Sequence, residues 1–511
     1  MHYPSLNHTK LWLLAIGVGL ATFLEVLDLA ITNVSLPVIA GDLGVSVFNG
    51  TWVISGYAVS NAIMILLAGS LARRFGEVRY FCVSIVLFII FSSFCGLARN
   101  FSALVFFRVC QGASAGALVP LSQSLLLRNS PPNKRAILLG LWSVIFLIAP
   151  MIGPVLGGII SDTIGWRWLF YINIPLGIVA LVICWSILRH RESERFKTPI
   201  DYIGFIFLVI GIGCLQIMLD QGNNFGWFHS ARIVMLLIGS LLGITFFIIW
   251  TLTAKHPIID LSLYKIRNFF VGSISVLFTF IVIFSALIIY PIWLETDMNY
   301  TAIWAGLAVM PFALLIVIGA PIVELLIHKF KVDLRILLSG SFLIFMISSL
   351  MSARYNTQAS FLSLLPPRII IGFALALFFV PGTMIAMSGI DHQRLAQASS
   401  LFNFPRILGT GMGASIGVAI MEAKKKIFYD QLMSHITHGN DQVAKIINIL
   451  RTKGMSEVDS LGWIHDQVVS QATILGINEF YYILAFICLF LVITIWFTKP
   501  PFTSSETKVV H

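Results

Sequence analysis

Two carboxyl side chains, Glu25 and Asp28, lie inside an apolar stretch that covers residues 11–37. A hydrocarbon core of roughly 30 Å needs about 20 apolar residues in a helix, so this stretch is long enough to cross a bilayer. An ionisable group at the bilayer centre costs about 2.5–3.5 kcal/mol on insertion scales, and it therefore normally faces a protein interior or a wet cavity. Helical spacing places Thr32 on the same face as both carboxyls, with Asn33 beside them. We predict that this face binds protons and contacts a substrate.

Arg108 is a cation at membrane depth in another apolar stretch. It shares one predicted helical face with Gln111 and Gly112. An arginine in this position needs a partner, so we predict that it lies beside a carboxylate, with Asp28 as the candidate. Burial favours the neutral form of a carboxyl, whereas a nearby guanidinium favours the charged form. An acid held between these two influences can gain and lose a proton, and Glu25, one turn away, is predicted to bind a second proton or a cationic substrate.

A substrate cavity is predicted from polar and aromatic side chains on several apolar stretches. Cavities for amphipathic compounds are mostly apolar with few polar groups, which fits the Phe-rich stretches but does not distinguish drugs from fatty acids, siderophores or other metabolites. Glu324, inside a further apolar stretch, is predicted to be either a second titrating site or half of a buried structural pair. The residues predicted to line the cavity are Glu25, Thr32, Asn33, Gln111, Trp142 and Asn403.

The composition is that of a polytopic membrane protein. Of 511 residues, 58% are hydrophobic and only 11% are charged, whereas soluble proteins have about 25% charged residues. The net charge of +10 comes from short basic clusters between apolar stretches, and no soluble module is long enough to bind nucleic acid. The six cysteines lack metal-ligand spacing, and the sequence has no HExxH, GxSxG or phosphate-loop motif. We therefore expect no metal, no cofactor and no enzymatic activity.

Hydrophobic stretches broken by charge, glycine or proline predict an all-α fold with fourteen transmembrane helices. The basic residues concentrate in the loops on one side of the membrane, and the positive-inside rule then places both termini in the cytoplasm. The predicted helices are 11–36, 49–71, 78–97, 102–127, 136–160, 167–188, 201–220, 232–253, 269–294, 302–327, 334–352, 364–389, 398–421 and 478–498.

An internal repeat relates the two parts of the chain. Arg135 and Arg394 each precede a glycine-rich helix. Such repeats are common in transporters, and they predict two six-helix bundles in residues 1–198 and 266–511, with two inserted helices in residues 199–265 that have no counterpart. One arginine, one glycine and one proline of the fourth predicted helix return at nearly the same spacing in the twelfth: Arg108, Gly112 and Pro120, then Arg368, Gly372 and Pro381.

The longest polar segment, residues 422–477, lies between the last two predicted helices and, by the helix count, outside the cytoplasm. Apolar residues at helical spacing in 428–436 and in 443–450 predict amphipathic helices. The segment is predicted either to cap the outer mouth of the protein or to dock a partner.

The fifth predicted helix carries the sequence GPVLGG at residues 153–158. Gly153 and Gly157 form a small-xxx-small face that lets another backbone approach closely, and Pro154 removes a backbone donor and loosens the helix. This segment, which ends at Gly158, is predicted to be a hinge or a tight contact, with ordinary helix packing as the alternative.

In combination, these motifs resemble the fourteen-helix drug:proton antiporters of the major facilitator superfamily, of the EmrB and QacA type. The resemblance implies a major facilitator fold, proton coupling by Asp28 and Arg108, and antiport through the GPVLGG segment. It also implies a bacterial inner-membrane exporter of amphipathic small molecules and, by analogy, partnership with a periplasmic adaptor and an outer-membrane channel. It covers essentially the whole chain and is carried by LDLAITNVSLP (27–37), GSLARRFG (69–76), RVCQG (108–112), GPVLGG (153–158), WRWLFYINIPLG (166–177), LDQGNNFGWF (219–228) and ASSLFNFPRILGTGMGASIG (398–417).

One motif departs from the family's pattern. The loop motif that runs from Gly69 to Gly76 usually has an acid at the position of Arg73, which is followed here by Arg74. In the family, that acid joins a charge network that latches the cytoplasmic sides of the two halves. With an arginine in its place, we expect the latch to be rebuilt through Glu77 or to be weaker.

The sequence leaves three functions open. The first is proton-coupled export of amphipathic small molecules, or of one endogenous metabolite such as a siderophore or a fatty acid. The second is uptake or exchange of a metabolite, against which the GPVLGG segment argues only through its family association. The third is an intramembrane enzyme or a channel, which the missing catalytic motifs and the two-part repeat disfavour.

Overall fold

The computed structural model describes residues 6–45, 47–131, 134–196, 201–222, 224–255, 257, 259–300, 302–309, 311–436, 441–500 and 502. Over these ranges the chain is all-α, without a β-strand. The α-helices are α1 His8–Val34, α2 Leu36–Asp42, α3 Val47–Gly50, α4 Trp52–Phe75, α5 Glu77–Leu97, α6 Phe101–Ala115, α7 Leu118–Asn129, α8 Arg135–Thr163, α9 Trp168–Tyr171, α10 Asn173–Leu188, α11 Tyr202–Gln221, α12 Ala231–Thr253, α13 Arg267–Thr296, α14 Ala302–Val309, α15 Pro311–His328, α16 Leu334–Ser352, α17 Phe361–Ala386, α18 Leu395–Ser434, α19 Asp441–Thr452 and α20 Glu457–Ile495.

Twelve helices within the described residues are long and apolar enough to cross a membrane. The helix α8 bends by 46° between Ile137–Pro150 and Val155–Thr163, and it makes a thirteenth span if these two parts are counted as one. The predicted helix 302–327 corresponds to α14 and α15, which are separated by residue 310, outside the described residues. A helix therefore occupies every position at which the sequence predicts one, and the fold is that of a polytopic helical membrane protein.

Polar side chains fix the starts of several membrane-spanning helices. The Asn100 side-chain oxygen accepts a hydrogen bond from the Ala103 backbone N–H at 2.8 Å and caps α6. Asp201 caps α11 by accepting from the Gly204 N–H at 2.9 Å, and it also accepts from the Trp250 indole at 2.8 Å. Such caps satisfy N–H groups that the first turn of a helix leaves without partners. The polar residues that flank the apolar stretches thus determine where these helices begin.

The internal repeat is visible as two equivalent helix pairs. In the first half, α1 packs along α8, and a Cβ added to Gly157 would stand 2.9 Å from the Ile31 carbonyl oxygen. In the second half, α13 packs along α18, and a Cβ added to Gly413 would stand 2.7 Å from the Ile281 carbonyl oxygen. Real Cβ atoms essentially never come this near. Both pairs therefore depend on glycine for their close approach.

The inserted helices α11 and α12 pack on each other through small residues. A Cβ added to Gly211 of α11 would stand 2.8 Å from the Ile244 backbone nitrogen of α12. The helix α11 also packs on α4 of the first half and on α18 of the second half. The helix α11 thus lies along a seam where the two halves meet, and α12 packs on α11. The division of the chain into 1–198, 199–265 and 266–511 stays a prediction.

In the polar segment 422–477, two helix ends differ from the predicted ones. The helix α18 continues to Ser434 instead of ending at 421, and α20 begins at Glu457 instead of at 478. Hydropathy misplaced these ends because it follows apolar content, whereas polar residues with good helix propensity continue a helix into water. Between the two extensions, α19 is the predicted amphipathic helix.

The extensions of α18 and α20 pack side by side. Lys424 and Glu479 form an ion pair at 3.0 Å. A Cβ added to Gly476 of α20 would stand 2.9 Å from the Lys425 backbone nitrogen of α18. Most of the segment that was predicted as a long loop is therefore a helical hairpin that prolongs the second half.

Candidate functional site

Asp28 of α1 is fully buried and accepts hydrogen bonds from three side chains. Its Oδ2 accepts from Arg108 Nη1, and its Oδ1 accepts from Gln111 Nε2 at 3.0 Å and from Asn173 Nδ2 at 2.7 Å. All four side chains have no exposed surface. A charged carboxylate tolerates such burial only when it is paired and hydrogen-bonded. The contact that the sequence predicts between Asp28 and Arg108 is present, and α1, α6 and α10 build it.

Arg108 connects this carboxylate to the start of α4. Its Nε donates to the Val53 carbonyl oxygen at 3.1 Å, and its Nη1 also donates to Gln111 Oε1 at 2.8 Å. The guanidinium lies over the ring of Tyr57 at 4.2 Å and near that of Phe170 at 5.6 Å. Aromatic faces attract a cation. The surroundings of Arg108 therefore favour its charge independently of Asp28.

Asn173 is a site residue that the sequence analysis missed. Its Nδ2 donates to Asp28 and also to Ser92 Oγ of α5 at 3.0 Å, and its Oδ1 has no hydrogen-bond partner among the described residues. The available signal was an amide within the apolar motif of residues 166–177. Buried amides need partners, but the sequence does not say which helix face this amide occupies or which acid it meets.

Glu25 lies one turn before Asp28 on α1 in a different environment. Its Oε1 accepts from Asn61 Nδ2 at 2.9 Å, and its Oε2 has no hydrogen-bond partner among the described residues. Arg406 of α18 is near enough to attract it electrostatically. The two carboxyls of α1 therefore differ in their partners: Asp28 is paired with an arginine of its own half, whereas Glu25 is hydrogen-bonded to a neutral amide and lies within electrostatic range of an arginine of the other half.

Arg406 is the second residue that the sequence analysis missed. Only 4% of its surface is exposed, and its guanidinium lies 4.4 Å from the ring of Phe146 in α8 and 5.8 Å from that of Phe280 in α13. Its Nε and Nη1 have no hydrogen-bond partner in the described part of the chain. The structure thus places a buried cation, with donors to spare, between aromatic rings from the two halves.

Trp142 and Asn403, both predicted to line the cavity, lie at the same seam. The Trp142 indole donates to Ser122 Oγ at 2.9 Å, and its ring stacks on Phe146 at 5.7 Å. Asn403 Nδ2 donates to Gln123 Oε1 at 2.9 Å and so joins α18 to α7. Polar side chains of the first half therefore contact the second half directly at this level, close to the rings around Arg406.

Other predicted residues lie apart from this cluster or are already engaged. The Thr32 hydroxyl donates to the Asp28 carbonyl oxygen at 2.6 Å, within its own helix. Asn33 is exposed, because one further residue along a helix turns the side chain away from the buried face. Glu324 is partly buried in α15, and the side chain of Pro154 falls outside the described residues. The functional roles of these residues stay predictions.

The GPVLGG segment lies where α8 bends and packs on α1. Gly153 touches Ala30, and Gly157 touches the backbone of Ile31. A Cβ added to Gly158, by contrast, would meet no atom within 4 Å. Helices that approach this closely need positions without side chains at the contact. The segment therefore combines a tight contact with a bend, and it holds the part of α1 that carries the buried acid.

The loop motif at the end of α4 contacts the second half. A Cβ added to Gly69 would stand 2.6 Å from the Gln397 Cα atom of α18, and Arg73 Nη1 donates to Gln397 Oε1 at 3.0 Å. The motif ends at Gly76, whose φ of +99° lies in the region that favours glycine and lets the chain turn into α5. Arg74 precedes this turn within α4. The unusual arginine at position 73 thus itself links the two halves.

The expected replacement of the latch by Glu77 is not found in the structure. Glu77 pairs with Arg128 of its own half at 3.1 Å. Its backbone N–H donates to Ser193 Oγ at 2.9 Å, while Glu192 accepts from the next N–H group of α5 at 3.0 Å. The pair with Arg128 directs the Glu77 side chain toward α7 of the first half.

A helical bundle built as two repeated halves, with an acid–arginine pair buried in one half and polar contacts across the seam, defines a polytopic membrane carrier. The chain belongs to the Major Facilitator Superfamily, whose family model matches residues 18–414. The family and the major facilitator fold predicted from the sequence motifs are confirmed.

Relatives of this chain cover its entire length. It is 42% identical over 501 residues to the multidrug export protein EmrB of Haemophilus influenzae, with 98% of each chain covered. It is 40% identical over 506 residues to the fatty acid resistance protein FarB of Neisseria gonorrhoeae, with 99% of each chain covered. The solved structure of the proton:xylose symporter XylE matches with a TM-score of 0.59 at 14% identity, over 96% of each chain. This last likeness concerns the fold.

Proposed function

We propose that this protein is a proton-coupled antiporter that exports amphipathic small molecules, including drugs, from the cytoplasm. One observation carries the proposal: Asp28 is fully buried and paired with Arg108, and the helix α1 that carries Asp28 packs against GPVLGG. Full-length similarity to EmrB, a multidrug export protein, supports the export of drugs. The similarity to FarB supports a fatty acid as the alternative substrate.

Asp28 is the proton-binding group of this mechanism. While it is charged, it holds Arg108, Gln111 and Asn173 through hydrogen bonds. A proton from the outer side neutralises the carboxylate, which weakens its bond to the guanidinium, because hydrogen bonds between charged partners are roughly twice as strong as neutral ones. Arg108 keeps its contacts with Val53 and Tyr57. The change in charge therefore loosens α1 from α6 and α10 without displacing the arginine.

Substrate occupies the seam between the halves. Trp142, Asn403 and the ring of Phe146 are buried at this seam, and when the halves part they expose a mostly apolar surface with few polar groups, as pockets for amphipathic compounds generally have. The substrate leaves when the seam opens outward and Asp28 is protonated. Return to the inward-facing state releases the proton to the cytoplasm. One charge that crosses 100 mV supplies about 2.3 kcal/mol, so one or two protons support a substantial substrate gradient.

The cellular setting follows from the same proposal. The protein resides in the bacterial inner membrane with both termini in the cytoplasm, which places the helical hairpin of α18 and α20 outside the cytoplasm. That hairpin is a suitable contact for a periplasmic adaptor, which would connect the carrier to an outer-membrane channel. The protein acts as a carrier without an enzymatic step, and the mechanism uses no cofactor.

The test uses sealed inside-out vesicles from a host that lacks its own drug pumps. Respiration acidifies the vesicle interior, and a fluorescent amine reports the pH gradient while drugs and fatty acids from a panel are added one at a time. We expect at least one compound to discharge the gradient in wild-type vesicles and not in vesicles that carry Asp28→Asn. Compound uptake that leaves proton flux unchanged would overturn the proposal, and uptake driven in the opposite orientation would identify an importer.

A second candidate function is export of amphipathic acids, such as fatty acids, and Arg406 favours it. Two nitrogens of its guanidinium lack partners among the described residues, and aromatic rings flank it. A guanidinium binds a carboxylate through paired hydrogen bonds. Replacing Arg406 by Gln is expected to remove resistance to a long-chain fatty acid and to preserve resistance to a lipophilic cation such as ethidium. Equal loss of both resistances would argue against this assignment.

A further inference from the structure

Asp220 is a carboxyl that the mechanism above does not use. It lies one residue before the end of α11, an apolar span of the inserted pair. Its Oδ1 accepts from Gln216 Nε2 at 3.1 Å, whereas its Oδ2 is buried and has no hydrogen-bond partner among the described residues. An ionisable side chain in a transmembrane helix normally marks an ion or proton path. This carboxyl therefore needs an explanation beyond helix packing.

Among the described residues, Asp220 forms no ion pair. The Ser55 hydroxyl of α4 accepts from Gln221 Nε2, on the next residue of α11, at 3.3 Å. Arg232, at the start of α12, lies over the ring of Phe225 at 5.4 Å. Burial disfavours the charged form of a carboxyl unless a cation or water compensates it.

The position of Asp220 makes its hydration depend on the arrangement of the two halves. The helix α11 contacts α4 of the first half and α18 of the second half. On one side, Gln221 Nε2 donates at 2.9 Å to the Oγ1 of Thr51, the residue that precedes α4. On the other, a Cβ added to Gly411 of α18 would stand 3.2 Å from Gln216 Nε2. When α4 and α18 separate at this end, α11 must part from one of them, and water then reaches the carboxyl.

We propose that Asp220 is a second proton-binding site, which exchanges protons with water where the seam between α4 and α18 is open and keeps its proton where that seam is closed. The inference rests on the proposed antiport for its use in transport, while the binding of a proton stands on the local structure. The inserted helix α11 then makes this end of the seam sensitive to pH.

Infrared titration of the purified, full-length protein in lipid tests the inference directly, because the carbonyl stretch of a protonated carboxyl is resolved from that of a carboxylate. Four proteins are compared: wild type, Asp220→Asn, Asp220→Glu and Asp28→Asn. We expect one component of the protonated-carboxyl band to disappear in Asp220→Asn, to persist at a shifted position in Asp220→Glu, and to remain in Asp28→Asn. An Asp220→Asn titration that superimposes on the wild type overturns the inference.

Two further measurements separate this inference from the proposed function and from a structural role. In proteoliposomes, Asp220→Asn is expected to change the pH dependence of transport while substrate still moves, and an unchanged pH dependence contradicts a role in transport. Failure of wild-type protein to couple transport to protons would overturn the antiport, yet the Asp220 component would still be measurable. Asp430→Asn, at an exposed carboxyl of α18, is the matched control and should leave that component in place.

Discussion

The two halves bury one arginine each at corresponding positions of the repeat, and they surround these arginines differently. Arg108 faces the carboxylate of Asp28. Arg368 faces tyrosines: the Tyr481 hydroxyl accepts from its Nη2 at 2.6 Å, and its guanidinium lies 3.9 Å from the centre of the Tyr290 ring. Within the described residues no carboxylate contacts Arg368. Both halves therefore bury an arginine at this position of the repeat, but its partner is a carboxylate in the first half and a tyrosine in the second.

The tyrosines around Arg368 belong to a larger aromatic cluster. The ring of Tyr355 stacks on Trp293 at 5.5 Å and meets Tyr481 edge-on at 6.3 Å. Tyrosine hydroxyls ordinarily ionise near pH 10, so this cluster stays neutral where a carboxyl changes charge. The comparison teaches that the second half can stabilise a buried guanidinium without any group that titrates near neutral pH. On the proposed mechanism, proton coupling through a buried arginine is therefore confined to the first half.

The largest expected effect is the loss of proton coupling when the acid of the first site is removed. Asp28→Asn should reduce substrate-driven proton flux to background, because the amide cannot change charge. Tyr290→Phe and Tyr481→Phe are the matched variants of the second site and should retain most of the flux. Proton flux in inside-out vesicles provides the measurement. Equal losses in all three variants would show that the two arginine sites share one role.

The arginines themselves should differ in what their removal does to stability. Arg108→Ala leaves the Asp28 carboxylate buried without its cation, and breaking such a pair typically costs about 3–5 kcal/mol. Arg368→Ala leaves only neutral groups behind, for which the loss of a cation–π contact and a hydrogen bond costs about 1–3 kcal/mol. Thermal unfolding in detergent, followed by tryptophan fluorescence, compares the two variants. A larger loss for Arg368→Ala would reverse the comparison.

The glycine contacts should be equivalent in the two halves, unlike the arginine sites. Gly157→Ala and Gly413→Ala each force a methyl group against a carbonyl oxygen, and overpacking of this kind costs about 1–3 kcal/mol. Gly158→Ala and Gly340→Ala are the controls, since a Cβ at either position would meet no atom within 4 Å. The same unfolding assay reports the effect. A destabilised control would mean that helix contacts do not set these costs.

The smallest effect concerns a surface pair formed by Asp260, just before the second half, and Arg394, within it. Arg394 Nη2 donates to Asp260 Oδ2 at 2.7 Å, and both side chains are about one-third exposed. Burial raises the pKa of Asp260, but hydrogen bonds from Ser262 and the charge of Arg394 outweigh this and hold the pKa below its usual value.

This pair makes a small, acid-sensitive contribution to stability. A depressed pKa in the folded state stabilises the protein above the unfolded pKa, and this stabilisation is lost as the pH falls through the folded pKa. Exposed pairs contribute at most about 1 kcal/mol. Asp260→Asn should therefore lower stability slightly at neutral pH and flatten the decline on acidification. An unchanged decline would assign the acid sensitivity to other groups.

Sequence reasoning located Asp28, Arg108 and Gln111, because polar groups in an apolar stretch are costly and must meet one another. It did not find Asn173 or Arg406. Each stands in a motif whose helical face depends on how the helices cross, and spacing within a single helix does not contain that information. The two missed residues lie on further helices, Asn173 in the first half and Arg406 across the seam.

Two other differences have equally local causes. Asn33 was grouped with its neighbour on α1, but a single helical step moves it to an exposed face. The ends of α18 and α20 were placed where hydropathy falls, although both helices continue through polar residues. Hydropathy thus predicted which segments are helical, and it did not predict how far these two helices extend.

The hairpin formed by the ends of α18 and α20 gives the second half a rigid arm. Residues 422–434 of α18 are helical, which corresponds to about 20 Å at 1.5 Å per residue. An arm joined to one half without a break must tilt whenever that half tilts. A rocking motion of a few ångströms at the middle of the bilayer then produces a larger displacement at the tip of the hairpin. Anything bound to the tip would move by that larger distance.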